Sequence, residues 1–279
     1  MVETWRHWRS WRTVNDYLDF FASEAWKTVE SGYYETGVEA VNSSKPLKSF
    51  SLKGSVVDAL KRGKNSIIAE IKVASPTGRV LRGEVDVISV ASAMKNGGAS
   101  GISVITEPKF FNGSLATLQT IRRCISLPLM MKDFIVSRLQ IEAAYQTGAD
   151  AVLLIEAMFE NGYCETGVEE MIEYAHSLGL EVLLEAHSEH EFRNAVSSKA
   201  DLIGINNRDL KTLHVDLKVT ERLLRKYSTL PRLIVSESGI SSPNHVRWLK
   251  SLGVQAFLVG SAVMSAPSVE EKVRSLVEA

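Results

Sequence analysis

Eight short apolar runs recur along the chain from residue 66 onward, each followed by a polar or glycine-containing turn and then by a longer segment with helical spacing. The runs are SIIAEIK (66–72), SGISVIT (100–106), LPLMMKD (127–133), ADAVLLI (149–155), LEVLLEA (180–186), ADLIGIN (200–206), RLIVSES (232–238) and QAFLVGS (255–261). Short runs that are apolar on both faces are typical of parallel strands covered by helices. The pattern therefore predicts eight strands that alternate with helices.

The intervening segments also carry signals for helix ends. Segments such as VSRLQIEAAYQTGA (136–149) place apolar residues at helical spacing and end near a glycine, which suits a left-handed C-cap. Three helix starts are predicted from capping residues: Ser137 with Gln140, Ser188 with Glu191, and Ser242 before Pro243.

Eight strand–helix units predict an α/β protein with a single (β/α)8 TIM barrel at residues 66–279. An open doubly wound sheet is the alternative, but no run is followed by the G-x-G-x-x-G turn of dinucleotide-binding folds. Residues 1–65 precede the first strand and have the character of helices and loop. We predict that they form an N-terminal helical extension that packs on the barrel as a lid, without a separate domain.

Polar side chains stand at the ends of five of the runs, where a TIM barrel places its chemistry. They are Glu70, Lys72, Lys132, Glu185, Asn206 and Glu237. Any one of them alone could meet solvent or a salt bridge near a loop. Buried charges are costly unless they are paired, so a ring of lysines and glutamates at one mouth indicates mutual compensation around a ligand. This pattern predicts acid–base catalysis.

Glycines follow the last two runs, in ESGI (237–240) and VGSA (259–262). Glycine lets backbone N–H groups approach an anion closely, and barrels frequently bind phosphate with these two loops. The alternative is a pair of ordinary strand-to-helix turns. We expect a phosphorylated small-molecule substrate.

Composition narrows the class of protein. With 32 basic and 33 acidic side chains, the chain has no polyelectrolyte character, so a nucleic-acid partner is not expected. No apolar run approaches the roughly 18 residues of a membrane helix, and no secretory signal opens the chain. Two cysteines are too few for a disulfide framework. These features favour a cytoplasmic protein.

Three further features of the sequence give weaker indications of function. His187 and His190 could be imagined as metal ligands, but they flank a predicted helix start and have no evident third ligand, so no metal site is predicted. The opening MVETWRHWRSWRT repeats tryptophan and arginine every three positions. It fits a helix that packs its tryptophans on the protein body, with a membrane-surface or partner-binding stripe as the alternative. Asp133 follows Lys132 and is expected to point out of the barrel as the partner of a helix.

Several segments together resemble the indole-3-glycerol phosphate synthase family. They are AEIKVASPTG (69–78), TEPKFFNGS (106–114), LPLMMKDFIV (127–136), GADAVLLI (148–155), GINNRDLKT (204–212), VSESGI (235–240) and FLVGSAVM (257–264). The resemblance covers all eight predicted strands in order. It implies a reaction without metal or cofactor, in which 1-(2-carboxyphenylamino)-1-deoxyribulose 5-phosphate becomes indole-3-glycerol phosphate, carbon dioxide and water.

The resemblance also implies roles for the catalytic residues. Lys132 matches the family's general acid, and Glu185 matches a glutamate that acts as base or stabilises developing positive charge. Glu70 and Lys72 match the pair used in dehydration. Asn206 and Glu237 belong to the same polar ring.

Substrate-binding residues follow by the same resemblance. Those expected to bind the body of the substrate are Ser75, Pro76, Phe111, Asn112, Phe134, Arg208 and Ser238, with Arg208 as a clamp on the substrate carboxylate. Those expected to bind the phosphate are Gly239, Gly260 and Ser261. The chain departs from the family at Val73, a position that is commonly basic, and in its Trp/Arg-rich opening.

Other functions stay open at this level. A strand-end lysine can also serve a Schiff-base aldolase or accompany a sugar-phosphate isomerase on the same barrel. A catalytically silent barrel that binds phosphorylated ligands or serves as a subunit is a further reading. The sequence leaves open both a monomer and an association with other enzymes of the tryptophan pathway.

Overall fold

The computed structural model describes residues 16–36, 50–72, 86–227 and 230–279. Eight parallel strands form a closed barrel in chain order, with the last strand beside the first. The strands are β1 (Ser66–Ile71), β2 (Gly101–Ile105), β3 (Leu129–Lys132), β4 (Ala151–Ile155), β5 (Glu181–Ala186), β6 (Leu202–Asn206), β7 (Ile234–Glu237) and β8 (Ala256–Val259). Each lies within one of the eight apolar runs, so the prediction of a TIM barrel is confirmed.

Helices surround the barrel and precede it. Over the described ranges they are α1 (Tyr17–Glu30), α2 (Tyr33–Thr36), α3 (Leu52–Lys61), α4 (Val87–Asn96), α5 (Leu115–Cys124), α6 (Arg138–Thr147), α7 (Glu156–Glu160), α8 (Val168–Ser177), α9 (Glu189–Ser197), α10 (Lys218–Leu224), α11 (Pro243–Ser251), α12 (Ser261–Met264) and α13 (Val269–Val277). None of the described helices is long and apolar enough to cross a membrane.

The capping predictions are right at two helices and half right at a third. Ser137 and Gln140 form the reciprocal capping box at α6, and Ser242 caps α11 ahead of Pro243. At α9, Ser188 accepts the N–H of Glu191, but the Glu191 carboxylate accepts the N–H of His187 instead of that of Ser188. The glutamate therefore ties the helix start to the end of β5.

The N-terminal extension contacts both ends of the barrel. Before α3, the Phe50 N–H donates to Asp150 Oδ1 at 2.7 Å. In the first turn of α3, the Lys53 N–H donates to Glu181 Oε2 at 2.8 Å, at the start of β5. At the opposite end, the Tyr34 hydroxyl of α2 donates to Asp133 Oδ2 at 2.9 Å, just after β3. The Trp/Arg-rich opening lies outside the described residues, and the boundary at residue 65 stays a prediction.

Candidate active site

A cavity of about 540 Å³ opens at the C-terminal ends of the strands. All six polar residues predicted from the ends of the runs line it: Glu70, Lys72, Lys132, Glu185, Asn206 and Glu237. Side chains at alternate strand positions face the interior, so residues that end different strands meet in one layer. Below this layer the barrel is filled with buried apolar side chains, including Ile68, Met130 and Leu183.

Lys132 lies between two carboxylates. Its Nζ is 3.2 Å from Glu185 Oε2 and 3.3 Å from Glu237 Oε2, and both glutamates are almost fully buried. Burial alone would lower the pKa of Lys132, but the charges of Glu237, Glu185 and Glu70 raise it above its usual value. Lys132 therefore remains an ammonium across the neutral range, with a proton to donate.

Glu237 has a carboxylate with two different environments. Oε2 contacts Lys132, whereas Oε1 is buried and has no hydrogen-bond partner among the described residues. Burial, together with the charge of Glu185, raises the pKa of Glu237 to about 8 despite the nearby ammonium. Glu237 therefore takes up a proton more readily than an exposed glutamate does.

Glu70 and Lys72 form a second ion pair in the cavity. Lys72 Nζ lies 2.8 Å from Glu70 Oε1, and the Glu70 side chain is buried. Burial would raise the pKa of Glu70, but the charges of Lys72, Lys132 and Arg208 hold it below its usual value. Gly260 provides the space for this carboxylate, because a Cβ at position 260 would overlap Glu70 Oε1.

Asn206 connects the carboxylate of Glu185 to the loop that follows β6. Its Nδ2 donates to Glu185 Oε1 at 2.8 Å, and its Oδ1 accepts the backbone N–H of Arg208 at 2.9 Å. Arg208 lines the cavity and donates from Nη1 to the Leu213 carbonyl at 2.7 Å. This bond orients the guanidinium, whose other nitrogens have no hydrogen-bond acceptor among the described residues and can meet a ligand carboxylate.

The loops after β7 and β8 form a glycine-containing wall of the cavity. Ser238 and Gly239 both have positive φ, 64° and 79°, and line the cavity with Gly260 and Ser261. The hydrogen bonds found among the described residues give the N–H groups of Gly239 and Ile240 no acceptor. Free N–H groups in a tight turn are suited to an anion such as phosphate.

Two aromatic side chains that were expected to bind the substrate form a wall of the cavity. Phe111 and Phe134 line the cavity, as the family resemblance implies. Asn112, which was also expected to bind substrate, is exposed and is not among the described residues that line the cavity. Ser75 and Pro76 lie outside the described residues.

Helix α1 of the extension adds an aromatic residue that no sequence pattern identified. Phe21 also lines the cavity and stacks on Phe134 with ring centroids 4.5 Å apart and planes 11° apart. Its position in an amphipathic helix indicates only that it is buried.

Two buried acids, Glu107 and Asp133, also line the cavity, although the sequence did not predict this position for them. Glu107 accepts the N–H groups of Lys109, Phe110 and Phe111 and so shapes the loop after β2. Burial and the charge of Asp133 raise the pKa of Glu107 to about 7. The glutamate at the start of TEPKFF, directly after a predicted strand, was the signal available in the sequence.

Asp133 partly differs from the expectation for it. It is the partner of a helix, because it accepts the Tyr34 hydroxyl of α2, and it also accepts the Thr106 hydroxyl at 2.6 Å. However, it lines the cavity as well. Burial raises the pKa of Asp133 to about 6.

The two histidines take structural positions. His187 Nδ1 donates to the Asn206 carbonyl at 2.7 Å, and His190 Nδ1 lies 2.6 Å from Glu160 Oε1. Within the described ranges, no group of three or more His, Cys, Asp or Glu residues is arranged to hold a metal ion.

The fold and the site together define a (β/α)8-barrel enzyme whose cavity holds an ammonium between two carboxylates and is also lined by the turn at Ser238 and Gly239. Comparison with known families identifies the family of this chain. The family model for indole-3-glycerol phosphate synthase matches residues 23–276. The chain belongs to the indole-3-glycerol phosphate synthase family.

Individual relatives support this membership. The chain is 39% identical over 237 residues to an indole-3-glycerol phosphate synthase of Caldanaerobacter subterraneus, with 81% of this chain and 89% of that relative covered. It is 41% identical over 220 residues to the enzyme of that name from Acetivibrio thermocellus, with 77% and 82% covered.

Similarity to solved structures extends to the fold alone. A thiamine phosphate pyrophosphorylase from Pyrococcus furiosus has a TM-score of 0.56 at 20% identity and covers 81% of this chain and 96% of its own. An N-acetylmannosamine-6-phosphate 2-epimerase from Clostridium perfringens has a TM-score of 0.57 at 16% identity, with 79% and 93% covered.

Proposed function

We propose that this chain closes the indole ring in tryptophan biosynthesis. It would convert 1-(2-carboxyphenylamino)-1-deoxyribulose 5-phosphate into indole-3-glycerol phosphate, carbon dioxide and water. The single observation that carries the proposal is the position of Lys132, held as an ammonium by Glu185 and Glu237 at the mouth of the barrel. Membership of the family supports the same reaction.

Ring closure needs a proton donor at the substrate carbonyl. The ring carbon that carries the carboxylate attacks the carbonyl carbon, and the carbonyl oxygen takes the proton of Lys132 to become a hydroxyl. The attack leaves positive charge on the ring and its nitrogen, which the nearby carboxylate of Glu185 stabilises electrostatically. When carbon dioxide leaves, the electrons of the broken bond between the carboxylate carbon and the ring carbon return to the ring.

Dehydration needs an acid for the departing hydroxyl and a base for a proton. The pair of Glu70 and Lys72 supplies both kinds of group within 2.8 Å of each other. Lys72 protonates the hydroxyl, which leaves as water, while a carboxylate removes the proton whose loss forms the ring double bond. The low pKa of Glu70 keeps this carboxylate ionised in the free enzyme.

Binding places these groups around the substrate. Ser238, Gly239, Gly260 and Ser261 bind the phosphate through their loops, and Arg208 binds the carboxylate before it is lost. Phe111, Phe134 and Phe21 enclose the flat aromatic ring. The α1 helix that carries Phe21 thereby limits access of water to the reaction.

The environment of Lys132 argues against the Schiff-base alternative. A nucleophilic lysine needs a depressed pKa so that it is neutral and reactive. Lys132 has the opposite environment, because two adjacent carboxylates raise its pKa. Borohydride treatment with substrate should therefore trap no adduct on this lysine.

The direct test is turnover of the carboxyphenylamino sugar phosphate, followed by the fluorescence of the indole product. Lys132→Met should lower kcat by about 10²–10⁴-fold, since one positioned acid contributes that much. Lys109→Met is the matched control, because Lys109 is half-exposed and pairs with Glu24 at 3.2 Å outside the cavity lining. Full activity of a folded Lys132→Met protein would reject Lys132 as the acid, and no product from the unaltered protein would reject the function.

The proposed function also implies where the protein works and in what oligomeric state. A small-molecule biosynthetic enzyme of this family is placed in the cytoplasm, where its substrate would be made. A monomer contains every described group that the proposed mechanism uses. Association with other enzymes of the pathway stays a prediction that size-exclusion chromatography of mixtures can test.

A further inference from the structure

We propose that Asn207 is a positioning residue that holds the phosphate-binding turn after β7 in its binding conformation. The inference rests on the proposed function, because it takes the turn at Ser238 and Gly239 as the phosphate site. Asn207 itself is fully buried and lies outside the cavity lining, so it would act on the substrate only through this turn.

The amide group of Asn207 is bonded to the end of β7 and to the turn. Its Nδ2 donates to the Glu237 carbonyl at 2.8 Å, to the Ser238 carbonyl at 3.2 Å and to Ser236 Oγ at 3.0 Å. The backbone N–H of Asn207 also donates to the Glu237 carbonyl, at 2.9 Å. One side chain on the β6 loop therefore contacts three consecutive residues of the neighbouring strand and turn.

The opposite end of the amide is fixed by Thr220 on α10. Asn207 Oδ1 accepts the Thr220 N–H at 3.2 Å and the Thr220 hydroxyl at 2.8 Å. A backbone N–H can only donate and a carbonyl can only accept, so the amide has one satisfactory orientation, with its NH₂ group toward β7. The same Thr220 hydroxyl lies 2.9 Å from Ser236 Oγ, which closes the cluster.

The cluster determines which polar groups of the turn are already hydrogen-bonded and which are not. The carbonyl oxygens of Glu237 and Ser238 are bonded to Asn207, so these negative ends of the peptide dipoles point into the buried cluster and away from an anion in the cavity. The next N–H groups, those of Gly239 and Ile240, have no acceptor among the described residues. The turn beside the cavity thus has donors without an acceptor among the described residues, while two of its acceptors are already bonded to Asn207.

The backbone conformation at Ser238 needs hydrogen bonds from its surroundings to be stable. Its φ of 64° is a conformation that an L-residue other than glycine rarely adopts without support. Two hydrogen bonds from Asn207 to the carbonyls on either side of the Ser238 Cα supply such support. Without them, the turn would relax toward negative φ and rotate the Gly239 N–H away from its present direction.

The experiment compares two changes at opposite ends of one buried amide in the full-length protein. Asn207→Asp keeps the shape and the acceptor for Thr220 but replaces the NH₂ group that bonds the turn. Thr220→Val is the matched control, since it removes a hydroxyl from the same buried cluster and leaves the donors of Asn207 in place. Asn207→Ser is made in parallel in case a buried aspartate prevents folding.

Binding of inorganic phosphate is measured by calorimetry, and kcat and KM are measured separately. A hydrogen bond to a charged group is worth about one power of ten or more in an equilibrium constant. Asn207→Asp should therefore raise the phosphate dissociation constant about tenfold or more and raise KM in parallel, with a smaller change in kcat. Thr220→Val should lower the melting temperature while it changes the phosphate dissociation constant by less than about twofold.

The measurements distinguish failure of the proposed role of Asn207 from failure of the proposed reaction. Equal changes in phosphate binding for Asn207→Asp and Thr220→Val, or loss of thermal stability with unchanged phosphate binding for the Asn207 variants, would overturn the positioning role. Turnover by the unaltered protein without any binding of phosphate would overturn this inference and keep the proposed reaction. Phosphate binding that weakens as expected in a protein without turnover would support the role of Asn207 and reject the reaction.

Discussion

Gly204 on β6 leaves the space into which the carboxylate of Glu237 on β7 extends. A Cβ at position 204 would overlap Glu237 Oε1 and would lie 3.0 Å from Leu183 Cδ2. From this position, the other oxygen of Glu237 reaches Lys132 Nζ at 3.3 Å. The missing side chain at position 204 therefore sets the geometry of the ion pair on the proposed acid.

We predict that Gly204→Ala lowers kcat by about 10²-fold, since a misplacement of about 1 Å at a catalytic group has an effect of that size. The added methyl should also destabilise the fold by about 1–3 kcal/mol through overpacking. Gly167→Ala is the control, because a Cβ there would meet no atom within 4 Å. Steady-state kinetics and urea unfolding measure both effects, and unaltered kcat in Gly204→Ala would contradict the steric role.

We predict that Phe21→Leu raises KM by about two- to tenfold with a smaller change in kcat. The variant keeps an apolar side chain on α1 but loses the stack on Phe134, and an aromatic pair is worth about 0.5–1.5 kcal/mol beyond its buried area. Phe20→Leu is the matched control from the same helix, because Phe20 packs on Phe110 at 5.2 Å and is not among the described residues that line the cavity. Equal effects on KM at the two positions would show that α1 acts through stability alone.

We predict that stability falls as pH rises from about 5 to 7, in part because of Glu107. Its pKa is raised from 4.5 to about 7, so across this window the folded protein holds a proton that the unfolded chain has released. A state that binds more protons is disfavoured as pH rises, and the loss is at most roughly 3 kcal/mol by pH 7. Above pH 7 both states are ionised and the slope from Glu107 ends.

The measurement is urea unfolding of the unaltered protein and of Glu107→Gln at several pH values. Glutamine does not titrate, so the variant should show a shallower slope, while Asp133, with its pKa raised to about 6, still contributes in the same direction. Glu30→Gln, at an exposed position, is the control. Identical slopes for Glu107→Gln and the unaltered protein would remove Glu107 as a cause.

We predict that Arg122→Met destabilises the protein by about 3 kcal/mol or more and leaves kcat unchanged in the folded fraction. Arg122 Nη1 pairs with Asp150 Oδ2 at 2.8 Å with both side chains buried, so the change leaves an uncompensated buried carboxylate. The pair lies at the N-terminal end of the barrel, away from the cavity, where polar residues serve stability. Lys199→Met, from the exposed pair with Glu173, should have no measurable effect on unfolding.

The position of the polar ring was predictable because two simple regularities act together. Period-two alternation places Glu70 inward and Ile71 outward on one strand, and closure of eight parallel strands brings all their C-terminal ends to one mouth. For the same reasons Lys132, Glu185, Asn206 and Glu237 line one cavity. The glycines of the last two loops were identifiable because a tight turn near an anion favours a residue without a side chain.

The sequence by itself determined the eight strands, the barrel, the family and the face on which the polar residues lie, because those features depend on local periodicity and short motifs. The tertiary structure alone decided which carboxylates flank Lys132, that Phe21 reaches the cavity, that Asp133 contacts both α2 and the cavity, and that Asn207 is hydrogen-bonded to the turn at Ser238. These contacts join residues that are distant in sequence, and their distances depend on how strands and helices pack across the closed barrel. Spacing along a chain carries no information about that packing.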